Sequence, residues 1–217
     1  MFLDFVGKNI DVEISGGSLK RGMVIDSGLD LFVLYDGRNF NYIPYVHIQR
    51  FYETRKEEDE TVYDPPSETP IATDAISYRK ILMSAKGLFV QVYVTGNKSV
   101  HGYLTSIMND YFVFHSPVYK TMFISMNHVK WLIPYPADAT PYSLENLTLK
   151  PVATALARSL EEQLKKLENQ LVILDGGDKD EKIGLLQRVR DHKIALITAE
   201  GNPIYWNLEH IKTIQLP

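Results

Sequence analysis

The sequence predicts a mainly β protein made of three tandem small barrels, each with five strands and a short leading helix. Three observations predict this fold class. A glycine and a histidine recur three times at nearly constant spacing, short apolar or alternating runs fill the interval between them, and turn residues separate those runs. Five strands in under about 50 residues cannot form a two-layer sandwich, but bent strands can close into a small barrel that hides most of its edges.

The recurring glycine and histidine define the repeat. The histidines stand 81 and 82 residues apart, and each follows its glycine by 25 or 26 residues. The glycines fall early in the second predicted strand, where a barrel of this size bends sharply. The histidines fall between the last two strands, where we expect the imidazole to hydrogen-bond the backbone of the turn. The repeat positions are Gly22, Gly102 and Gly184 with His47, His128 and His210.

Each copy contains five predicted strands, because alternating or fully apolar runs are interrupted by turn signals. In the first copy, Asp36-Gly37 is a strong hairpin signal, since the turn needs a positive φ that glycine adopts at no steric cost. The predicted strands are 9–14, 20–25, 31–35, 39–44 and 48–51 in the first copy, 89–94, 100–107, 111–115, 120–125 and 129–133 in the second, and 171–174, 182–188, 194–198, 203–207 and 211–216 in the third.

The segments between the copies predict linkers and leading helices. A charged run followed by prolines separates the first two copies, and a proline-rich segment separates the last two. Helical spacing of apolar residues predicts helices at 73–86 and 151–170, with a rudimentary one at 2–6. The predicted domains are a barrel at 1–54, a linker at 55–72, a helix and barrel at 73–135, a linker at 136–148, and a helix and barrel at 149–217.

Composition limits the function classes. Lys and Arg number 23 against 27 Asp and Glu, a net charge of −4, so the chain has no general basic field for nucleic acid. The absence of cysteine excludes disulfides, thiol nucleophiles and cysteine zinc sites. The start of the chain lacks a signal-peptide pattern, and no apolar run reaches roughly 18 residues. We therefore expect intracellular synthesis, no signal peptide and no membrane span.

The catalytic motifs of common enzyme classes are missing from the sequence. It has no Gly-x-Ser-x-Gly elbow, P-loop, Gly-x-Gly-x-x-Gly or His-Glu-x-x-His. Asp175, Asp178 and Asp180 surround a Gly-Gly pair, yet the position where a calcium loop closes with Glu is Leu186. This cluster therefore predicts a solvated hairpin tip. We expect a non-enzymatic protein with no cofactor and no metal.

One motif carries a family resemblance. A double glycine, a short polar stretch, a basic residue near the repeat glycine and a later His-Ile ending occur at 16–22 and 176–184 with their downstream histidines. This pattern resembles the repeated N-terminal region of the outer spore coat protein B family of endospore-forming Firmicutes, and the barrels are similar to Sm-like or SH3-like barrels. The resemblance implies a structural spore component that is deposited in the coat and whose partners are other coat or envelope proteins and further copies of itself.

Two hypotheses follow for what such barrels bind. The leading one is assembly, because barrels of this kind leave their fourth and fifth strands partly open to edge pairing with a neighbour. The alternative is Sm-like RNA binding, in which bases stack on aromatic side chains beside cationic groups. The acidic net charge makes nucleic acid the less favoured partner. The candidate interaction residues are Tyr35, Arg38, Phe40, Tyr42, Tyr111, Tyr119 and Lys120.

Overall fold

The protein is mainly β in its computed structural model, as predicted, and its paired strands are antiparallel. The structure describes residues 2–54, 63–71, 76–95, 98–139, 141–143 and 155–217. The chain divides into two compact units. Unit 1 contains Met1–Val100 and Val129–Tyr142, and unit 2 contains His101–His128 and Ser143–Pro217. The predicted linker segments 55–62 and 144–148 lie outside the described residues, and the predicted domain boundaries stay a prediction.

The strands fall into three sets of five along the chain. The first strand set is β1 (Asn9–Ile14), β2 (Ser18–Ser27), β3 (Leu31–Tyr35), β4 (Phe40–Pro44) and β5 (Ile48–Glu53). The second strand set is β6 (Phe89–Thr95), β7 (Lys98–Ile107), β8 (Tyr111–Ser116), β9 (Lys120–Ser125) and β10 (Trp131–Pro134). The third strand set is β11 (Leu171–Leu174), β12 (Ile183–Arg190), β13 (Lys193–Ile197), β14 (Pro203–Asn207) and β15 (Thr213–Gln215).

Unit 1 contains the whole first strand set and two strands of the second. Its sheet order is β6-β10-β4-β3-β2-β1-β5. Alternating apolar residues of β1 point into a core that also receives side chains from β2, β3, β4, β6 and β10. The buried residues of this core are Ile10, Val12, Ile14, Val24, Phe32, Leu34, Ile43, Tyr93, Trp131 and Ile133.

Unit 2 contains the whole third strand set, with β8 and β9 of the second. Its sheet order is β14-β13-β12-β11-β15-β9-β8, and β8 also pairs with the part of β7 that begins at His101. The core includes one face of the short helix Leu160–Lys165. Its buried residues are Tyr111, Val113, Phe123, Leu160, Leu164, Leu167, Val172, Leu174, Leu186, Val189, Ile194, Leu196, Leu208, Ile211 and Ile214.

The prediction that each set closes into a barrel is wrong, because the sheet is not closed. Closure would require the fourth strand of a set to return to the fifth strand of the same set. Among the described strands, β4 instead pairs with β10, and β9 pairs with β15. The backbone groups that would close the barrel are thus satisfied by the following set.

Two short α-helices precede the second and third strand sets. Helix α1 (Tyr78–Ser84) begins after Ser77, whose Oγ accepts a hydrogen bond from the Lys80 N–H at 3.4 Å. Helix α2 (Leu160–Lys165) begins after Ser159 in the same way, with the Glu162 N–H at 3.4 Å. Both are shorter than predicted, and 72–75 and 151–154 lie outside the described residues. Neither described α-helix has the length and apolar character that a membrane crossing needs.

The three repeat glycines lie where the second strand of each set crosses close to the third. A Cβ at Gly22, Gly102 or Gly184 would collide with a backbone carbonyl group of the neighbouring strand. Two residues further on, each of these strands shifts register against its neighbour. Glycine therefore permits the close approach that precedes a bulge and a bend in each of β2, β7 and β12.

Candidate interaction site at the strand edges

In unit 2 the second and third strand sets are joined through their backbones. Strand β9 pairs antiparallel with β15, with Ile214 opposite Phe123. The pairing also places Thr213 opposite Ile124, and just beyond it the Ser125 N–H donates to the Lys212 carbonyl at 3.0 Å. We call the pairing of the fourth strand in one set with the fifth strand of the next a join.

Unit 1 contains a second join, between β4 and β10. Its register places Leu132 opposite Tyr42. This join is shorter than the one in unit 2, and the sequence explains why. Pro44 stands three residues before His47, the position that Ser125 has before His128. The Ser125 N–H donates across the join in unit 2, whereas proline has no N–H to donate.

Both joins obey one register rule. The fourth residue after a histidine lies opposite the fifth residue before the preceding histidine, which holds for Leu132 with Tyr42 and for Ile214 with Phe123. All four side chains are at most 2% exposed. Each join therefore buries one large side chain from either strand in addition to making main-chain hydrogen bonds.

In unit 2 the join is reinforced by the leading helix of the third set. Asp110 lies directly before β8, and its Oδ1 accepts a hydrogen bond from the Leu160 N–H at 2.9 Å. The buried Tyr111 hydroxyl donates to the Ala157 carbonyl at 2.8 Å and lies 3.2 Å from Gln163 Oε1. Burial, followed by the nearby Asp110 carboxylate, raises the pKa of Tyr111 to about 12. The phenol therefore remains a neutral donor at physiological pH.

Unit 1 contains the same kind of reinforcement. Asp30 lies directly before β3, and its Oδ1 accepts a hydrogen bond from the Tyr78 N–H, at the start of α1, at 2.8 Å. The hydroxyl of Tyr42, on β4, accepts a hydrogen bond from the Ile71 N–H at 3.3 Å. An aspartate before the third strand thus positions the helix that leads into the next set in both units.

The repeat histidines each end a short 3-10 helix between the fourth and fifth strands. His128 Nε2 donates to the carbonyl of Glu209 at 2.8 Å, so its partner is the 3-10 helix of the third set and not the backbone of its own turn. The His47 carbonyl accepts from the Ser15 N–H at 2.8 Å, and its Nδ1 lies 3.4 Å from Ser15 Oγ. His210 occupies the equivalent position in the third set.

Asp175 holds the start of β15 in place, a role that the sequence did not predict. The prediction of a solvated tip is wrong for this residue, because its side chain is buried. One oxygen accepts from Lys182 Nζ at 2.7 Å, and the other accepts from the Lys212 and Thr213 N–H groups at 2.7 and 3.1 Å. The sequence signal for this ion pair is Lys182, a basic residue seven positions after Asp175 and across the hairpin from it.

Two strand edges are left over at the ends of the described sheet order. Strand β14 pairs with β13 and β5 pairs with β1, and no described strand pairs with the other side of either one. We call these two sides the free edges. Tyr205 on β14 is 70% exposed and Tyr52 on β5 is 46% exposed. Unpaired backbone groups with exposed aromatic rings are suited to adding a strand.

The candidate RNA-stacking residues divide into two groups. Tyr35, Phe40, Tyr42 and Tyr111 are all buried, with at most 8% of each residue exposed. Their ring faces are therefore covered by protein and are not available to bases. The remaining candidates, Arg38, Tyr119 and Lys120, are exposed. In the part of the chain that the structure describes, no three His, Asp or Glu side chains group as metal ligands would.

These features define a class: a mainly β protein of consecutive five-stranded sets joined edge to edge, with strand edges as its candidate binding site. The chain is 44% identical over 221 residues to the uncharacterised protein YwrJ of Bacillus subtilis (strain 168), covering 98% of this chain and 97% of that one. It therefore belongs to the YwrJ family. A family model described as the YwrJ third domain matches residues 159–214.

A second relative supports the resemblance seen in the sequence. The chain is 29% identical over 143 residues to Spore coat protein B of Bacillus subtilis (strain 168). The match covers 66% of this chain but 36% of that protein, so it spans about a third of the relative's length. The chain is thus related to a spore coat protein through part of its length.

Proposed function

We propose that the protein is a non-enzymatic structural component of the spore coat and is held there through its free strand edges. The observation that carries the proposal is the pair of free edges on β14 and β5, which match the strands already joined within the chain. The relation to Spore coat protein B supports the location. Synthesis inside the cell followed by deposition in the coat is part of the proposal.

The proposal treats the three strand sets as copies of one small Sm-like module. Support comes from the equivalent glycines, the bulges two residues after them, and the shared register of the two joins. The family model of a third domain also matches the third set together with its leading helix. A protein built in this way presents a fourth-strand edge at one end of the series and a fifth-strand edge at the other.

Strand addition explains how such a protein is retained without a binding pocket. Main-chain hydrogen bonds supply affinity, and the side chains that alternate along the strand supply specificity. Tyr205 and Tyr52 would each lose exposed apolar area when a strand is added, which favours association. The proposed partners are coat proteins with a complementary edge, including further copies of this chain.

An epitope-tagged chain expressed in a sporulating Bacillus tests the proposal. We expect the tag in the coat fraction of purified spores, resistant to washing with high salt, because edge pairing depends little on exposed charge. A Tyr205→Pro variant removes an edge N–H and should be retained less. The matched Tyr205→Thr control keeps that N–H, so more of it should be retained in the coat fraction than of the proline variant. A wild-type chain that stays in the mother-cell extract would contradict the proposal.

A further inference from the structure

We infer that the partner of the two free edges is a second copy of this chain, with β5 of one copy added to β14 of the next and Phe51 opposite Tyr205. The inference rests on the proposed function and names its partner. It uses the same interface that the chain already forms twice within itself, continued from one molecule to the next.

The register of this pairing follows from the two joins. In both of them the fourth residue after a histidine lies opposite the fifth residue before the preceding histidine. The fourth residue after His47 is Phe51, and the fifth residue before His210 is Tyr205. Applied between two molecules, the rule places Phe51 opposite Tyr205 and so specifies one register for the pairing.

The hydrogen-bonding groups on the free edge of β14 point the right way. The Leu208 N–H donates to the His192 carbonyl at 2.8 Å, so even-numbered residues here direct their N–H groups toward β13. Alternation along an antiparallel strand directs the N–H groups of Tyr205 and Asn207 to the free edge. Pro203 falls on that same side, where a missing N–H leaves the β13 pairing intact.

The free edge of β5 has matching groups. The Thr54 N–H donates to the Asn9 carbonyl at 3.0 Å, so even-numbered residues here face β1. By alternation, Phe51 and Glu53 direct their backbone groups to the free edge, whereas the register shift between Glu13 and Ile14 places Gln49 outside this alternation. Gln49 is the second residue after its histidine, as Lys212 is, so the Asn207 N–H would donate to the Gln49 carbonyl as the Ser125 N–H donates to the Lys212 carbonyl within the chain.

Exposure also separates the free edges from the joined ones. Tyr205 is 70% exposed, whereas Tyr42 and Phe123, at the same position in their sets, are 1% and 2% exposed. The β5 side of the pairing is already ordered, because the Phe51 ring stacks on Phe2 with centroids 4.1 Å apart. A second copy would therefore cover an exposed ring with a preorganised strand.

The intermolecular join should be weaker than the joins within the chain. The third set has His192 directly before β13, where the other sets have the aspartates that hold a leading helix. The intermolecular pairing therefore depends on the strands alone, which makes it dependent on concentration. Because each copy offers one edge of either kind, the contact is heterologous and continues beyond two molecules.

Sedimentation velocity of the untagged full chain over a concentration series tests the inference. We expect the wild-type chain to associate as its concentration rises to about 200 μM. Tyr205→Pro removes an outward N–H from β14, and Glu53→Pro removes one from β5, so each variant alone should remain a monomer. An equimolar mixture should form a dimer and nothing larger, since one intact edge of each kind remains.

Matched controls keep the experiment interpretable. Glu53→Thr and Tyr205→Thr keep their N–H groups and should associate more strongly than the matching proline variants, while circular dichroism checks that every variant is folded. Tyr205→Lys places a charge on the edge without a proline and should also weaken association several-fold. A wild-type chain that stays monomeric throughout, or proline variants that associate alone, would overturn the inference. Retention in the spore coat without self-association would overturn it while leaving the proposed function intact.

Discussion

Strands β9 and β14 occupy the same place in their sets and differ in what lies beside them. Strand β9 has β15 on its open side, and Phe123 is 2% exposed. No described strand lies on the open side of β14, and Tyr205 is 70% exposed. The difference teaches that burial of the fourth strand is determined by the set that follows it and not by its own apolar content.

The residue before the third strand shows the same contrast. Asp110 precedes β8, and its Oδ1 accepts a hydrogen bond from the first N–H of α2. His192 precedes β13; its Nδ1 lies 3.3 Å from Glu161 Oε2, and its side chain is 69% exposed. In the second set this aspartate holds the helix that leads into the third set, whereas the third set has an exposed histidine in its place.

The largest expected difference in stability is between alanine variants of the fourth-strand aromatic residue at a join, Phe123, and at a free edge, Tyr205. Phe123→Ala should cost about 3–5 kcal/mol of unfolding free energy, because it leaves a cavity in the core. Tyr205→Ala should change stability by no more than about 0.5 kcal/mol. Urea denaturation at low protein concentration measures both values. Equal losses would show that the two edges do not differ as described.

Loss of the buried carboxylate that fastens β15 should have the next largest effect. Asp175→Asn leaves the Lys182 ammonium without its buried partner and should cost about 3 kcal/mol. Asp178, which also pairs with Lys182, is 47% exposed, so Asp178→Asn should cost less than about 1 kcal/mol. Similar losses in the two variants, measured by urea denaturation, would contradict the role given to Asp175.

The same ion pair predicts a pH dependence. Burial lowers the pKa of Lys182, but hydrogen bonds to Asp175 and Asp178 outweigh it and raise the pKa above its ordinary 10.5. Its stabilisation is therefore fully present below pH 10.5 and is lost as the pH rises through the folded-state value. Thermal melts of the wild type and Lys182→Met should converge in that alkaline range. A difference that disappears near neutral pH would be inconsistent with this pair.

A smaller difference in stability is expected between alanine variants of Asp110 and His192. Asp110→Ala removes the acceptor of the Leu160 N–H and should cost about 1 kcal/mol, as loss of a helix cap does. His192→Ala, at the equivalent position of the third set, should change stability by less than about 0.5 kcal/mol. Thermal unfolding distinguishes the two, and a larger loss for His192→Ala would remove the contrast.

The smallest expected effect is on RNA. Fluorescence anisotropy with labelled oligo-U and oligo-A at low salt should show no saturable binding below about 10 μM. The reason is that four of the candidate stacking rings are buried. Tight binding that weakens with salt and is lost on Arg38→Ala or Lys120→Ala would favour the RNA-binding alternative over edge assembly.

Local signals in the sequence were sufficient to predict most strands. Strands β1, β3, β9, β11 and β14 have the predicted bounds, because alternation and flanking turn residues are properties of the nearest few residues. Tyr42 and Tyr111 were candidates for a surface because they are aromatic residues near polar or basic ones. Such a local pattern does not show that both faces of a strand are covered, as they are along β4 and at Tyr111–Phe114 of β8.

The joins could not be predicted in the same way. Edge pairing uses backbone groups that every residue other than proline has, so no side-chain pattern records that β4 pairs with β10 rather than closing on β5. The burial of Asp175 depends on the start of β15, which is 38 residues away along the chain and comes close only in the folded sheet. Both features are consequences of tertiary pairing.

The register between two copies can be measured directly, because the chain has no cysteine of its own. The rule that pairs Phe51 with Tyr205 places Tyr52 opposite Ile204, a closely spaced position that suits a disulfide. Chains with single Tyr52→Cys and Ile204→Cys substitutions, mixed and oxidised, should give a covalent dimer in high yield. Mixing Tyr52→Cys with Tyr205→Cys, one residue out of register, should give little. Equal yields from the two mixtures, or a dimer from neither, would contradict edge-to-edge continuation of the chain.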